Sequence, residues 1–326
     1  MSFLRKALAS PYRRHLQPRT MAAPGTVILW WGTYGFAGRP TLGDVQSVEN
    51  LSRELGRRGH EHAILSHPEL ALPGHWPVAD IFSLTQSIRQ LAFVCGPLLD
   101  RSPLRDFLYV HRRARKLALG VSILPNNESI TSRFDVIVAR DGISDSTFDF
   151  AASEIVPPDP WRANAIRSVG LSLRGPQKEY GPNRVGQSKK CEALLRDLAA
   201  RMSIPIVQID TRILPANDTA KIKADFVRSD IIFTTRMHGA LLALALGKPV
   251  IALDQIPGTA KVTAVLRKIG WPHVYSAEFV TADMLDAACS DLAGPAGVAA
   301  VIAAQVRIAE YTEAAVKRAA DAFLPG

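Results

Sequence analysis

Residues 234–239 bring a cation, a proton-transfer group and a flexible backbone into one short turn. An apolar run typical of a buried strand precedes them and an apolar run typical of a helix follows. The free N–H groups and the dipole at a helix start attract anions. Arg236 adds a planar guanidinium that suits a carboxylate or a phosphate. His238 can transfer a proton near neutral pH, and Gly239 lets a ligand approach the backbone, so the pattern predicts an anion-binding active-site turn.

A purely structural role is the alternative for these residues. Arg236 would then pair with a surface acid, and His238 would cap a helix. We favour the functional interpretation because the turn is predicted at the carboxyl end of a strand in the second half of the chain. Open α/β sheets bind their ligands at that edge.

Strand and helix patterns alternate along the chain in two series. We predict strands at residues 26–31, 61–66, 90–95, 117–124, 135–139 and 154–156, and then at 168–173, 205–210, 230–235 and 249–253. We predict helices from Asp44 to about residue 56 and at 106–115, 188–202, 218–228, 238–246 and 259–269, followed by two more.

This alternation predicts an α/β protein with two Rossmann-like domains in a GT-B-like architecture, with a cleft between the carboxyl ends of the two sheets. The proline-rich residues 157–161 are predicted to be the junction. The expected division is a basic extension at 1–24, an N-terminal domain at 25–160 and a C-terminal domain at 161–326.

The net charge of +9 favours anionic partners. Nucleic acid is not expected, because no basic run is interleaved with aromatic residues and no known nucleic-acid-binding motif is present. Residues 1–24 contain five arginines or lysines and no acid, and are expected to be an amphipathic helix on an anionic membrane, a transit peptide or a solvated extension. The three cysteines form no metal or disulfide pattern, and Cys95 is predicted to be a small buried hydrophobic residue.

Beyond these physical arguments, the string TTRMHGALLALALGKPVIALD resembles the signature of the polysaccharide pyruvyl transferases. Four other elements match that family in order. Leu42, Gly43 and Asp44 resemble its Asn-x-Gly-Asp turn, and residues 138–144 resemble its Arg-Asp-x-x-Ser element. Residues 158–160 resemble its Pro-Asp-Pro junction, and residues 169–174 resemble the strand that opens its second domain. The likeness covers residues 27–271. The chain departs from the family in lacking the asparagine of the first turn, in having Cys95 and Gly96 for a glycine pair, and in having Met237 for leucine.

The resemblance implies transfer of a pyruvyl group from phosphoenolpyruvate to a sugar of a polysaccharide, oligosaccharide or glycolipid. The product is a pyruvate ketal, and phosphate is released. The N-terminal domain would bind the sugar or lipid-linked glycan acceptor, and the C-terminal domain would bind phosphoenolpyruvate. The family role is exopolysaccharide biosynthesis for the cell envelope. The expected location is the cytoplasm, with peripheral contact at the inner face of the membrane, and no cofactor is expected.

The resemblance also implies roles for individual residues of the donor site. Arg174 and Arg236 would clamp the donor, with main-chain N–H groups from Met237, His238 and Gly239. His238 would act as general acid or base, although the sequence leaves open which proton it moves. Lys261 would either neutralise the donor phosphate or simply solvate a helix.

Three residues are candidates for the acceptor side. Asp44 would either cap a helix or bind and activate an acceptor hydroxyl. Arg140 could line the cleft, but a structural ion pair with Asp141 is favoured. Tyr180 is interpreted first as a loop residue and second as an acceptor contact.

Two other functions remain open at the level of sequence. The first is a nucleotide-sugar-dependent glycosyltransferase of the same architecture, although the chain shows neither a DxD motif nor the paired glutamates of retaining enzymes. The second is a non-catalytic protein that binds carbohydrate or anions. No metal requirement is predicted, because no carboxylate cluster is evident.

Overall fold

A computed structural model describes residues 25–34, 40–79, 81, 84, 88–125, 127–158, 166–177, 179–181, 183–214 and 216–324. The basic extension at 1–24 and most of the predicted junction therefore lie outside the described residues. Their predicted roles stay predictions, as does the boundary between the domains at 160 and 161.

The first half of the chain forms a six-stranded parallel sheet in the order β3-β2-β1-β4-β5-β6. Its strands are β1 (Thr26–Trp30), β2 (Ala63–Ser66), β3 (Trp76–Pro77), β4 (Gln90–Val94), β5 (Arg115–Ser122) and β6 (Val136–Asp141). Every residue of β1 is buried, as expected for a strand covered on both faces.

The second half forms a five-stranded parallel sheet in the order β11-β10-β9-β7-β8. Its strands are β7 (Val169–Ser172), β8 (Ile206–Gln208), β9 (Ile231–Thr234), β10 (Val250–Asp254) and β11 (Val274–Ser276). The predicted α/β class and GT-B-like arrangement of two Rossmann-like domains are thus confirmed.

Helices connect the strands and cover the sheets. They are α1 (Leu42–Arg57), α2 (Leu104–Val110), α3 (Glu128–Thr131), α4 (Ser188–Arg201), α5 (Thr219–Val227), α6 (Met237–Ala245), α7 (Lys261–Lys268), α8 (Ala282–Leu292) and α9 (Pro295–Asp321). Among the described residues no single helix has the length and apolar character to cross a bilayer. Only α8 and α9 meet that test when taken together, and they meet at an angle of 87°.

Two predicted elements were wrong in kind or extent, and two strands were not predicted. Residues 154–156 form no strand, because the N–H of Val156 binds the carbonyl of Ala245 at the end of α6 rather than a neighbouring strand. The helix predicted at 106–115 ends at Val110, and Arg115 instead begins β5. The short strands β3 and β11 were not predicted, since runs of two or three residues carry too little periodicity to be recognised.

The two halves are joined closely at the start of α1. The N–H of Leu42 binds the carbonyl of Thr211 at 2.8 Å, and the N–H of Ile213 binds the carbonyl of Pro40 at 2.9 Å. Farther along, α1 packs against α6 of the second half and against α9, the last helix. One hydrophobic cluster extends across both halves, so the cleft between the two sheets has walls fixed by a shared core.

Candidate active site

A cleft of about 680 Å³ lies where the carboxyl ends of the two sheets face each other. Its first-half lining comes from loops after β1 and β4, from the start of α1 and from β6. Its second-half lining comes from loops after β7, β8 and β9 and from the start of α7. The lining residues are Trp31, Thr41, Asp44, Pro97, Leu99, Asp100, Arg101, Arg140, Arg174, Pro176, Gln177, Glu179, Thr211, Thr235, Arg236, Met237, His238 and Lys261.

The predicted strand-to-helix turn at 234–239 is present. Arg236 is the N-cap of α6, and the N–H of Ala240 makes the first helical bond to its carbonyl at 3.0 Å. The three preceding N–H groups, of Met237, His238 and Gly239, therefore have no helical partner. An alanine Cβ at Gly239 would lie 2.7 Å from the hydroxyl oxygen of Thr234, so glycine is required for this tight turn.

Arg174 and Arg236 both line the cleft beside this turn. The Thr235 hydroxyl accepts from the N–H of Arg174 at 2.7 Å, and Arg236 Nε donates to the carbonyl of Leu173 at 2.7 Å. Burial and the neighbouring charge of Arg174 lower the pKa of Arg236 to about 10, which still leaves it charged at neutral pH. Two guanidinium groups held together against their repulsion create a strong preference for an anion between them.

His238 is paired with a carboxylate that was not predicted. Its Nε2 lies 3.0 Å from Oδ2 of Asp149, and the imidazole is 14% exposed toward the cleft. Burial alone would lower the pKa of His238, but the Asp149 charge and hydrogen bond overcome that effect and raise it to about 10. His238 is therefore an imidazolium at neutral pH, able to donate a proton.

Asp149 is the centre of a buried polar network. Besides His238, it accepts from Arg140 Nη1 at 2.7 Å and from the N–H of Ala151 at 2.8 Å. Although burial opposes ionisation, the charges of His238 and Arg140 hold the pKa of Asp149 below its usual range. Its sequence position offered one signal, since a carboxylate between two aromatic residues, Phe148 and Phe150, needs a buried partner.

The structure supports the ion-pair interpretation of Arg140. Its Nε donates to Asp141 at 3.0 Å and its Nη2 donates to the Ser122 hydroxyl at 2.6 Å, while Nη1 binds Asp149. Arg140 is 3% exposed, although it forms part of the cleft wall. With every nitrogen already engaged, its predicted second role as an acceptor contact is disfavoured.

Asp44 lies in the cleft lining at the first turn of α1. The helix N-cap is Thr41 rather than Asp44, and Asp44 completes a capping box with it from the third helical position, so Asp44 contributes to the cap without being the N-cap. Asp44 Oδ2 accepts from both the N–H and the hydroxyl of Thr41 at 2.8 Å. Within the described part of the chain, its Oδ1 accepts only from the Cys95 thiol, at 3.4 Å, and has capacity for a further donor.

Cys95 is buried as predicted, but its surroundings are polar. Its Sγ lies 3.9 Å from His238 Nε2 and 3.6 Å from Arg140 Nη1. The potential ligand atoms of Asp44, Cys95 and His238 lie within 4.8 Å of one another, which would suit a metal ion. However, Nε2 is already bound to Asp149 and a guanidinium lies beside the sulfur, so these atoms form a hydrogen-bonded network that fits a cation poorly.

Lys261, at the start of α7, completes the cationic part of the lining. Its Nζ lies 4.0 Å from Oε1 of Glu179, which also accepts from Gln177 Nε2 at 2.8 Å. Burial lowers the pKa of Lys261, an effect that the Glu179 charge opposes. Glu179 and Gln177 were not predicted. Tyr180, predicted as an acceptor contact, is not part of the lining and has Arg184 5.4 Å over its ring.

Comparison with solved structures supports the fold described above. The chain is similar in fold to the spinosyn forosaminyltransferase SpnP (13% identity, 88% of this chain and 95% of that chain, TM-score 0.50). It is also similar to Os79 from O. sativa, solved in complex with U2F and trichothecene (10% identity, 91% and 99%, TM-score 0.51). These likenesses show a GT-B-like fold and nothing about the substrate.

A family model matches a shorter part of the chain. Residues 184–255 match the family model described as polysaccharide pyruvyl transferase, which confirms the resemblance over a segment that includes the turn at 234–239. That family is a transferase family. No curated protein matches the chain.

Proposed function

We propose that the protein transfers a pyruvyl group from phosphoenolpyruvate to a sugar, forming a pyruvate ketal and releasing phosphate. One observation carries the proposal: two guanidinium groups, Arg174 and Arg236, line the same cleft as a histidine whose pKa a buried carboxylate raises to about 10. Phosphoenolpyruvate needs both features, since it carries two anionic groups and reacts only after protonation of its methylene carbon.

The donor would lie at the start of α6. Arg174 and Arg236 would bind its carboxylate and phosphate, assisted by the free N–H groups of Met237, His238 and Gly239. Lys261 would neutralise further phosphate charge, and its pairing with Glu179 is long enough to yield to the donor. These cations all belong to the second half, so the donor would bind there and the acceptor would approach from the first half.

His238 would act first as an acid. Its proton adds to the methylene carbon, which becomes a methyl group, and the adjacent carbon becomes an oxygen-stabilised cation. A sugar hydroxyl adds to that cation and loses its proton to the site, and the C–O bond to phosphate then breaks. A second hydroxyl closes the ketal as its proton leaves. Of the two hydroxyl protons, one replaces the proton used at carbon and the other leaves with phosphate, so the reaction balances.

Asp44 would bind and activate the acceptor hydroxyl. Its Oδ1 accepts from the Cys95 thiol and has room for a second donor, and Asp44 lies in the lining close to His238. A carboxylate there accepts a hydrogen bond from the attacking hydroxyl and favours loss of its proton. The roles predicted for His238 and Asp44 are thus compatible with their positions, and both remain to be tested by substitution.

The decisive experiment measures phosphate release from phosphoenolpyruvate against a panel of glycosides and lipid-linked sugars, with the product identified by its mass shift. We expect turnover with the wild type and its near-complete loss in His238→Ala. A substitution of a half-buried histidine outside the cleft lining, His67→Ala, is the matched control and should retain activity. Unchanged turnover in His238→Ala would exclude the assignment of His238.

A nucleotide-sugar-dependent glycosyltransferase is the competing outcome, because SpnP and Os79 share the fold. The same panel should therefore be run with nucleotide sugars in place of phosphoenolpyruvate. Transfer from a nucleotide sugar without any phosphoenolpyruvate turnover would replace the proposal.

A further inference from the structure

The side of the cleft formed by the first half differs chemically from the side formed by the second half, where the donor is proposed to bind. The part of the first-half side that the loops form consists of Trp31 after β1 and of Pro97, Leu99, Asp100 and Arg101 after β4. This part, the loop wall, combines three apolar side chains with the charged side chains of Asp100 and Arg101. No residue of the loop wall has a part in the donor site described above.

Asp100 carries an unsatisfied acceptor. Its Oδ1 is buried and accepts no hydrogen bond from any described part of the chain. A buried carboxylate oxygen without a donor is unfavourable, so such groups are uncommon unless a ligand supplies the donor. A carboxylate can only accept, and the missing partner must therefore bring an O–H or N–H group.

Trp31 provides a fixed apolar surface close by in the same lining. It is 9% exposed. An alanine Cβ at Gly96 would lie 2.5 Å from its Cγ, so the backbone packs tightly against the indole and holds it in place. The Arg101 guanidinium lies 5.9 Å from the ring centroid and covers the indole at the mouth of the cleft.

We propose that Asp100 and Trp31 form the subsite for the sugar ring of the acceptor, and that this ring is a neutral pyranoside. A hydroxyl of the ring donates to Asp100 Oδ1, and the C–H face of the ring lies against the wall made by Trp31 and Leu99. An aromatic wall beside a carboxylate matches the two surfaces of a pyranose, one apolar and one rich in donors.

The charges of the first-half lining favour a neutral ligand on this side. Asp44 and Asp100 repel a phosphate or a uronate placed between them. The two cations of this lining are already engaged, since Arg101 lies over the Trp31 ring and Arg140 is paired with Asp141 and Asp149. Arg174, Arg236 and Lys261 lie across the cleft, where they attract the anionic donor. The inference rests on the proposed function only in identifying the bound sugar as the acceptor of the reaction. Binding of the sugar itself can be measured without any reaction.

The test is direct binding of methyl glucoside, methyl galactoside and methyl mannoside to the full chain, by saturation-transfer NMR without phosphoenolpyruvate. We expect at least one glycoside to bind, and Asp100→Ala to weaken it about tenfold or more, since a hydrogen bond to a charged group is lost. Asp106→Ala removes a carboxylate that pairs with Arg105 outside the cleft lining, and should leave binding unchanged. Thermal melting of each variant, with and without phosphoenolpyruvate, reports whether the fold and donor site are intact.

The outcomes distinguish failure of the proposed subsite from failure of the proposed function. If a glycoside binds equally to wild type and Asp100→Ala, or if none of the three binds, the subsite is wrong. If binding depends on Asp100 while phosphoenolpyruvate is never turned over, the subsite stands and the proposed function fails.

Discussion

His238 Nε2 lies 3.0 Å from Oδ2 of Asp149, although the histidine follows β9 in the second sheet and the carboxylate follows β6 in the first. The pair therefore forms only when the two halves pack together. It couples the protonation of the central residue of the cleft to the integrity of the interface between the halves.

Replacing Asp149 by asparagine should change the pH dependence of turnover. Without the carboxylate, the largest effect that opposes burial is lost and only the contributions of Cys95 remain, so the pKa of His238 should fall from about 10 toward its ordinary value near 6.5. If His238 acts as an acid, the alkaline loss of kcat then moves to lower pH by several units. The measurement is kcat against pH for both proteins, together with an NMR titration of the imidazole. An unchanged alkaline limb would contradict the assigned role of Asp149.

The same pair should define a pH window of stability. The raised pKa of His238 gives stabilisation that is complete below its ordinary value and is lost as pH rises through about 10. The lowered pKa of Asp149 gives stabilisation that is present above its ordinary value and is lost on acidification. We expect Asp149→Asn to cost about 3–5 kcal/mol at neutral pH, since it leaves buried charges unpaired. Urea unfolding between pH 4 and 10 measures this, with the exposed Asp145→Asn as a control that should change little.

Arg236→Lys should weaken donor binding. Lysine keeps the charge but loses the planar guanidinium, so KM for phosphoenolpyruvate is expected to rise about tenfold or more. Arg212→Lys is the matched control, because Arg212 follows β8 in the same half but pairs with Asp210 and is 50% exposed. A KM that changes equally in both variants would mean that Arg236 does not contact the donor.

Gly43→Ala should displace His238, the proposed general acid. The new Cβ would lie 2.2 Å from His238 Cγ, so the imidazole or the start of α1 must move. We expect about 1–3 kcal/mol of destabilisation from overpacking, with a loss of turnover larger than the loss of folded protein. Gly56→Ala, in the same helix, meets nothing within 4 Å and should be neutral or stabilising by up to about 1 kcal/mol. Wild-type turnover in Gly43→Ala would show that the position of His238 tolerates displacement.

Turnover should not require a metal. The ligand atoms of Asp44, Cys95 and His238 converge, but the histidine is already bound by Asp149 and the sulfur adjoins Arg140. Full activity is expected with excess chelator. Loss of activity that magnesium or zinc restores would contradict this prediction.

The amino-acid sequence by itself determined the local parts of this protein. The buried strands, most of the helices and the turn at 234–239 follow from hydrophobic periodicity and from the identity of neighbouring residues. Arg236 was predicted from the same local pattern and Arg174 from the family resemblance, and each immediately follows a predicted strand. Such features depend on interactions between residues that are close together in the chain.

Only the tertiary structure decided how those parts complete the site. It placed Asp44 both in the capping box of α1 and in the cleft lining, fixed Arg140 in an ion-pair network, and left Tyr180 outside the lining. It also brought Asp149 to His238 across 89 positions of the chain. A charged residue within an apolar stretch of sequence indicates that a buried partner is needed. Which residue becomes that partner depends on how the two sheets pack together, and the hydrophobic periodicity of the sequence does not show it.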